Sequence, residues 1–366
     1  MRIIISKDNL MLAINATQRA INPKSIIPLY SCIHLETKDN HAFFTGAGLD
    51  ITIECTVPAQ IEQEGSAFIP ARYFSDIVRR LPDVPIILEH DESMELSIRC
   101  ENSFFSLRTI SATDFPQIPD IQGDLSFTVN AETLAKLIRQ SSFAASTDEL
   151  KGVFTGILWE IEGSDLCLIG SDMHRLAWTK STVSSDAALE KISFILPAKH
   201  VVELGRLIQS GDCQISGDNH SVSFRFDNIC MNCHTLSGIF PDYRSVVPQQ
   251  FMTTLQVESK MLRDAAERIS LFSASNDTSN TIYFVIDDNH MEIHSQSEIG
   301  YGRESLPVAM EGESLDIAFN SRYLTDVFRV LDCDQVDVQL SGQLSAGIIK
   351  DRQDEDFFYL LLPVRY

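Results

Sequence analysis

The sequence lacks a long hydrophobic run, and this absence argues against a membrane protein. No apolar stretch approaches the roughly 20 residues that a membrane-spanning helix needs. The apolar patch at residues 3–5 is shorter than the core of a secretory leader and has no cleavage site after it. The composition, 44% hydrophobic and 22% charged over 366 residues, is typical of a globular protein of two or three domains. We therefore expect a soluble, cytoplasmic chain with no membrane partner.

The sequence also lacks the motifs of common nucleotide-binding enzymes and metalloenzymes. It contains no Gly-rich phosphate loop, no Gly-x-Gly-x-x-Gly after a strand and no His-Glu-x-x-His. Segment 230–234 matches a haem-attachment pattern, but its alternation is typical of a strand, which would place its two cysteines on opposite faces. Asp172 and His174 lie in a predicted loop without a nucleophilic partner, which favours a binding or structural role. We expect no catalytic residue, no metal site and no cofactor.

An internal repeat is the most informative feature of the chain. Segments 70–81, 197–208 and 320–331 align without gaps, at offsets of 127 and 123 residues. Their shared apolar positions follow the helical period, so each segment is predicted to be an amphipathic helix. Two basic positions, seven residues apart, recur on the opposite face of each helix. They are Arg72 and Arg79, Lys199 and Arg206, and Arg322 and Arg329.

Each repeat carries further elements that define a fold class. A second helix is predicted near the start of each repeat, anchored by Leu10, Leu134 and Leu262. In the remaining sequence, apolar and polar residues alternate as in antiparallel strands, roughly eight to a repeat. We therefore predict an α+β fold of three repeated domains, each with two helices on antiparallel sheets. The expected domains are 1–124, 125–251 and 252–366. Clear strand segments are 66–70, 86–88, 94–99, 104–110, 166–170, 221–226 and 282–286.

The distribution of charge changes what the net charge suggests. With 29 Lys and Arg against 51 Asp and Glu, the net charge of −22 argues against a nucleic-acid partner. The predicted helices, however, hold 15 bases and 7 acids, so a basic helix layer would attract a polyanion to one face. Ordinary solvated helix faces would also be rich in Lys and Arg. The helical windows are 7–24, 72–81, 131–143, 198–208, 259–271 and 321–331.

The C-terminus ends in apolar residues that have no following element to cover them. Residues 357–361 are predicted to form a last, buried strand, which Pro363 ends. The residues after Pro363 are candidates for an exposed patch that receives a partner.

Four motifs resemble those of the bacterial sliding clamps, the beta subunits of DNA polymerase III. They are Ser-Asp-Met-His-Arg-Leu at 171–176, Phe-Pro-Asp-Tyr-Arg at 240–244, Phe-Asn at 319–320 with Tyr323, and Leu-Pro-Val-Arg at 362–365. The resemblance covers the whole chain. It implies a head-to-tail ring of two chains and six domains, with twelve helices around duplex DNA that is bound without regard to sequence. It also implies a non-enzymatic processivity factor that tethers the DNA polymerase III catalytic subunit and other replication and repair proteins, and that a clamp-loader ATPase opens.

The resemblance also implies three sets of site residues. The DNA contacts are Lys24, Arg72, Lys151 and Lys199, to which the helix repeat adds Arg322. The pocket for partner peptides is Phe154, Ser171, His174, Arg175, Leu176, Pro241, Val246, Tyr323, Leu344, Leu362, Pro363, Val364 and Arg365. The dimer interface brings Phe105 and Leu107 to Leu271 and Phe272. Met173, Ser245 and Tyr366 depart from the family's usual Gly, Arg and aliphatic residue, which bears on the shape and charge preference of the pocket rim.

Two other interpretations account for part of the pattern. A non-enzymatic acidic repeat scaffold, which gathers proteins without encircling DNA, would explain the repeat and the missing catalytic motifs. It gives no reason for the basic helix faces. An enzyme built around Asp172 and His174 would explain neither the repeat nor the charge.

Overall fold

Six α-helices lie in the part of the chain that the computed structural model describes, residues 1–91, 93–111, 125–185, 189–273 and 280–365. Each lies in a window where the sequence predicts a helix, two to a repeat. They are Lys7–Thr17 (α1), Ala71–Arg80 (α2), Ala131–Ser142 (α3), Ala198–Leu207 (α4), Ser259–Ser270 (α5) and Ser321–Val327 (α6). Tyr366 and the expected boundary at residue 124 lie outside the described residues.

Two helices end several residues before their predicted windows do. Helix α1 ends at Thr17 rather than at residue 24, because the chain after it tightens into bonds between residues three apart, such as Ala20 N–H to the Thr17 carbonyl, and Pro23 then disfavours helical backbone at the residue before it. Helix α6 ends at Val327 rather than at residue 331, because its last turn tightens into bonds between residues three apart, such as Arg329 N–H to the Asp326 carbonyl. The basic ends of both windows therefore lie in turns.

The strands form two antiparallel sheets in each of two compact units. The first unit comprises residues 1–132, 184–187 and 203–235. Its five-stranded sheet has the order Gln60–Gln63, Arg2–Ile5, Ile86–His90, Glu95–Cys100 and Ser103–Arg108. Its eight-stranded sheet has the order Leu125–Asn130, Asp212–Gly217, Ser221–Phe226, Ile229–His234, Ile51–Pro58, His41–Ala47, Cys32–Lys38 and Gly65–Pro70.

The second unit comprises residues 133–183, 188–202 and 236–366. Its nine-stranded sheet has the order Leu189–Pro197, Gly156–Gly163, Asp165–Ser171, Arg175–Thr182, Phe357–Leu361, Gly347–Asp351, Gln335–Leu340, Thr253–Glu258 and Ala309–Gly312. Its four-stranded sheet has the order Gly300–Pro307, His290–Ser297, Thr281–Asp287 and Leu315–Asn320. Every predicted strand segment overlaps an observed strand, and the α+β class is confirmed.

The two large sheets join consecutive repeats, which the repeat pattern did not predict. In the eight-stranded sheet, Ile229–His234 of the second repeat pairs with Ile51–Pro58 of the first. In the nine-stranded sheet, Arg175–Thr182 of the second repeat pairs with Phe357–Leu361 of the third. Backbone hydrogen bonds, which need no particular side chains, therefore connect each repeat to the next.

The helices pack on these sheets through the apolar stripes that the sequence shows. Phe74 and Val78 of α2 are fully buried, as are Leu262 of α5 and Val327 of α6. The core of the third repeat continues from α5 and α6 into the strands around Phe319. Among the described residues, no helix is long and apolar enough to cross a membrane. In that same part of the chain, no group of three or more His, Cys, Asp or Glu side chains is arranged to hold a metal ion.

A pair of glycines occupies equivalent positions in the first two repeats, where a strand touches the last turn of a helix. A Cβ atom on Gly46 would lie 2.0 Å from the Thr17 carbonyl oxygen, and one on Gly170 would lie 2.1 Å from that of Ser141. We expect either Gly→Ala change to lower the free energy of unfolding by about 3 kcal/mol, as in an overpacked core. Gly163→Ala, at an open turn with φ +63°, is the control and should cost only about 1 kcal/mol. Urea unfolding measures all three, and equal losses would contradict this packing.

Candidate functional site

A tight turn between two neighbouring strands of the nine-stranded sheet forms the centre of the candidate site. The Ser171 hydroxyl donates to the Arg175 carbonyl at 2.7 Å and accepts the Met173 N–H at 3.2 Å. Asp172 Oδ1 accepts the N–H groups of His174 at 3.0 Å and Arg175 at 3.1 Å. These four bonds fix the turn and hold Met173 at φ +77°, in the left-handed region.

Arg175 is buried, with 7% of its surface exposed, and it connects this turn to helix α6. Its Nε donates to Asp172 Oδ2 at 3.1 Å, and its Nη1 donates to Asp326 Oδ2 at 2.7 Å. The guanidinium carbon lies 4.4 Å from the centre of the Tyr323 ring. A second arginine, Arg329, donates to Asp326 Oδ1 at 2.9 Å, so two cations balance two carboxylates. The cluster is therefore neutral, which burial requires.

The surroundings keep Arg175 charged. Burial acts to lower its pKa, but the Tyr359 oxygen, as a hydrogen-bond acceptor, and the carboxylates of Asp326 and Asp172 hold the pKa above its ordinary value. Burial raises the pKa of Tyr359 and, together with Asp172, that of Tyr323, so both phenols stay neutral. The Arg175 guanidinium is thus engaged within the chain, and its role at this site is to position the turn.

An apolar cavity of about 170 Å³ opens beside this turn. Its wall includes an edge-to-face pair of rings, Phe154 and Phe240, whose centres are 5.5 Å apart. The predicted residues that line it are Phe154, Ser171, Arg175, Leu176, Pro241, Val246 and Leu362. Five further residues line it: Met173, which the sequence placed at the pocket rim, and Phe240, Asp242, Tyr243 and Leu360, which sequence reasoning left out. Three of these five belong to the 240–244 motif, so the motif itself was the available signal.

Six predicted pocket residues do not line this cavity. His174 stacks on Tyr323, with the ring centres 6.4 Å apart, and the Leu362 N–H donates to the His174 carbonyl at 2.9 Å. The Val364 N–H donates to the Ala318 carbonyl at 2.8 Å, so the C-terminal segment is bound both to the 171–175 turn and to its own repeat. The predicted residues outside the cavity are His174, Tyr323, Leu344, Pro363, Val364 and Arg365, of which Leu344 and Arg365 are exposed.

Four of the predicted DNA contacts are exposed bases. Arg72, Lys199 and Arg322 each occupy the second position of their helices α2, α4 and α6, while Lys24 lies in the turn after α1. Across the described residues, none of these four forms an ion pair with a carboxylate. Lys151 differs, because its Nζ donates to the Asp172 carbonyl at 3.0 Å and so supports the turn.

The predicted interface residues occupy the borders of two small sheets. Phe105 and Leu107 lie on Ser103–Arg108, the edge strand of the five-stranded sheet, where Phe105 is exposed and Leu107 is half-buried. Leu271, just after α5, is also exposed. Phe272 instead packs under its own sheet, since a Cβ on Gly302 would lie 2.5 Å from its ring.

Comparisons with known proteins give a consistent result along the chain. Family models of the DNA polymerase III beta subunit match residues 1–119 (N-terminal domain), 128–242 (central domain) and 244–365 (C-terminal domain). The beta sliding clamp of Staphylococcus epidermidis is 30% identical over 377 aligned positions, covering 100% of this chain and 99% of that protein. That of Staphylococcus aureus is 29% identical over the same length, with the same coverage.

Solved structures share the fold. A DNA polymerase sliding clamp from Bacillus subtilis superposes with a TM-score of 0.95 at 30% identity, covering 100% of this chain and 99% of that one. A sliding clamp from Pseudomonas aeruginosa bound to griselimycin gives 0.95 at 26% identity, with 100% of both chains covered.

The architecture is therefore that of a three-domain clamp, α+β throughout, with helices on antiparallel sheets. The chain belongs to the DNA polymerase III beta subunit family, the bacterial beta sliding clamps. It is a DNA sliding clamp of the replication machinery, and the members of its family are non-enzymatic processivity factors. An acidic scaffold that never encircles DNA is not favoured.

Truncating the buried arginine tests its structural role. We expect Arg175→Ala to lower the free energy of unfolding by about 3–5 kcal/mol, because it leaves buried Asp172 and Asp326 without their shared cation. Arg329→Ala is the matched control, since its side chain pairs with Asp326 but is 77% exposed, and should cost about 1 kcal/mol or less. Chemical unfolding of both variants measures the difference. Similar losses in the two would contradict the assigned role.

Proposed function

We propose that two copies of this chain close into a cytoplasmic ring around duplex DNA. The observation that carries the proposal is the exposed base at the second position of α2, α4 and α6, which forms no ion pair within the described part of the chain. Exposed cations without carboxylate partners are free to bind phosphates, and phosphate contacts carry no sequence information. Lys24, in the turn after α1, adds a fourth such cation. A ring held by these contacts slides along DNA instead of stopping at particular bases.

Two exposed strand edges support closure by a second copy. Ser103–Arg108 ends one sheet and Gly300–Pro307 ends another, so each has backbone groups that no strand of its own sheet pairs. Phe105 and Leu271 supply exposed apolar side chains near these borders. A head-to-tail contact between the first domain of one copy and the third domain of the other closes a ring when it is made twice. We take 1–124, 125–251 and 252–366 as the three domains.

The cavity beside the 171–175 turn is the proposed site for partner peptides. It is apolar, it opens to solvent, and Val246 and Leu362 at its border are partly exposed. A short peptide with apolar anchors would bind there, as in the helix and strand grooves of other recognition domains. The partners are the DNA polymerase III catalytic subunit and other polymerases and repair proteins. Tethering raises the polymerase's effective concentration at the primer end.

Opening the ring requires an ATPase from another protein. The sequence contains no phosphate-binding loop for a nucleotide. We therefore assign loading to a separate clamp-loader ATPase, which would act on the ring before the polymerase binds.

Charge reversal tests the DNA contacts. The variant changes three bases together to Glu: Arg72, Lys199 and Arg322. The fraction of loaded clamp that stays on nicked circular plasmid is measured before and after the DNA is linearised. We expect retention of the variant to fall several-fold and to lose salt sensitivity, because fewer counterions are released on binding. The parent should be held by the circle and lost through the cut ends.

A triple variant with the same charge change provides the control. Lys38, Lys191 and Arg352 are exposed and lie in strands or turns, one in each repeat. Changed together to Glu, they should leave retention near that of the parent. Equal losses of retention in the two triple variants would show a general effect of charge. If the parent protein stayed on the DNA after linearisation, that result would contradict encirclement.

A charge placed in the cavity tests the peptide site. Val246→Glu should weaken binding of a labelled polymerase peptide at least tenfold, because an unpaired carboxylate would face an apolar wall. Ile239→Glu is the control, since Ile239 is 91% exposed and does not line the cavity. Fluorescence anisotropy measures both affinities. Unchanged binding to Val246→Glu would place the peptide elsewhere.

A further inference from the structure

Met173 holds a backbone conformation that is unusual for its residue type. Its φ of +77° lies in the left-handed region, which side chains other than Gly, Asn and Asp rarely adopt. Most residues other than Gly with positive φ in the described chain are Asp or Asn, as at Asp39, Asn40 and Asp227. Methionine has no such short polar side chain to support the conformation, so this position carries local strain.

The turn would not need a methionine to keep its shape. Ser171 and Asp172 fix the neighbouring N–H groups, and Lys151 binds the Asp172 carbonyl from outside the turn. A glycine would adopt the same backbone without strain. Strain that the surroundings maintain is found at functional positions, where the side chain contributes something that the backbone does not need.

The other repeats provide an internal comparison. Leu49 and Ile299 occupy the equivalent turns of the first and third repeats, and both side chains are exposed. Neither has a positive φ. Of these three turns, only the one at Met173 has a left-handed backbone, and its side chain is the one that borders the apolar cavity.

The Met173 side chain is the adjustable part of the cavity mouth. It lines the cavity and is 48% exposed. Around it, Phe154 and Phe240 hold each other edge to face, and the backbone of Leu362 is bound to the His174 carbonyl. Methionine has three rotatable bonds and a polarisable sulfur, so it adapts to an inserted group more readily than these walls do.

We propose that Met173 determines which anchor side chain of a partner peptide the cavity accepts, favouring an aliphatic anchor such as Leu over an indole. This inference rests on the proposed peptide site. At about 170 Å³, the cavity is smaller than the roughly 300–1,000 Å³ of small-molecule sites, so it has room for one medium-sized side chain. Because the walls around it are fixed, Met173 would pack over an aliphatic group, whereas an indole would have to displace the methionine from the cavity mouth.

Paired peptides test the proposal. A fluorescein-labelled synthetic peptide with the clamp-binding motif of the cognate DNA polymerase III catalytic subunit is made with Leu or Trp as its anchor. For the parent, we expect the Leu peptide to bind about tenfold more tightly, a ratio within the range that one pocket contact provides. Met173→Ala and Met173→Gly should each reduce this ratio at least about fivefold. Met173→Leu keeps the bulk and should restore most of the preference.

Stability separates the effect of the backbone from that of the side chain. Both small variants open the cavity, but only Met173→Gly relieves the left-handed strain. We expect its Tm to exceed that of Met173→Ala by about 2–4 °C. Leu49→Ala, in the equivalent turn of the first repeat, is the control and should leave the peptide ratio unchanged.

The outcomes distinguish this inference from the proposed function. If both peptides bind the parent, and if Met173→Ala and Met173→Gly keep the parent's ratio of the two affinities, Met173 does not select the anchor and the inference is overturned. If neither peptide binds the parent, the proposed peptide site is itself wrong. Equal Tm values for the Gly and Ala variants would overturn the strain on which the inference rests.

Discussion

The buried ion pair between Arg175 and Asp326 is the interaction on which the candidate site depends. It joins a turn of the second repeat to helix α6 of the third, and so fixes the turn on which Met173 and the cavity wall are placed. Buried ion pairs add little net stability, yet breaking one is costly because a charge is left unpaired. Such a pair favours one arrangement of two elements over its alternatives. Its contribution here is the position of the turn.

The position equivalent to Asp326 in the second repeat makes a similar interaction. Glu203 of α4, which aligns with Asp326, accepts a hydrogen bond from Arg19 of the first repeat. An acid on the second helix of one repeat thus binds an arginine from the repeat before it. The bases at the second position of the same helices have no carboxylate partner among the described residues. In α4 and α6, therefore, the acid binds the preceding repeat while the first base faces solvent.

Local patterns were sufficient to predict the helices, several strands and the fold class, because apolar periodicity and turn residues act within a few positions. They could not show that strands of consecutive repeats pair, since backbone hydrogen bonds leave no sequence signature. The 171–176 motif located the turn, and the 240–244 motif contained wall residues that were not recognised as such. The burial of Arg175 was not predictable either, because Asp326 is 151 residues away. The hydrogen bond from the Lys151 amine to the Asp172 carbonyl was not predictable for the same reason, while its DNA contact stays a prediction.

The sheets that run across repeat borders limit how this chain can be divided. A fragment ending near residue 250 would lose Phe357–Leu361, and Arg175–Thr182, half of whose residues are buried, would then present an open edge to water. Excising the first repeat would expose Ile229–His234 in the same manner. Open, apolar strand edges template aggregation. The repeats are thus copies in sequence, but they are not independent modules that could be shuffled, expressed singly or lost one at a time.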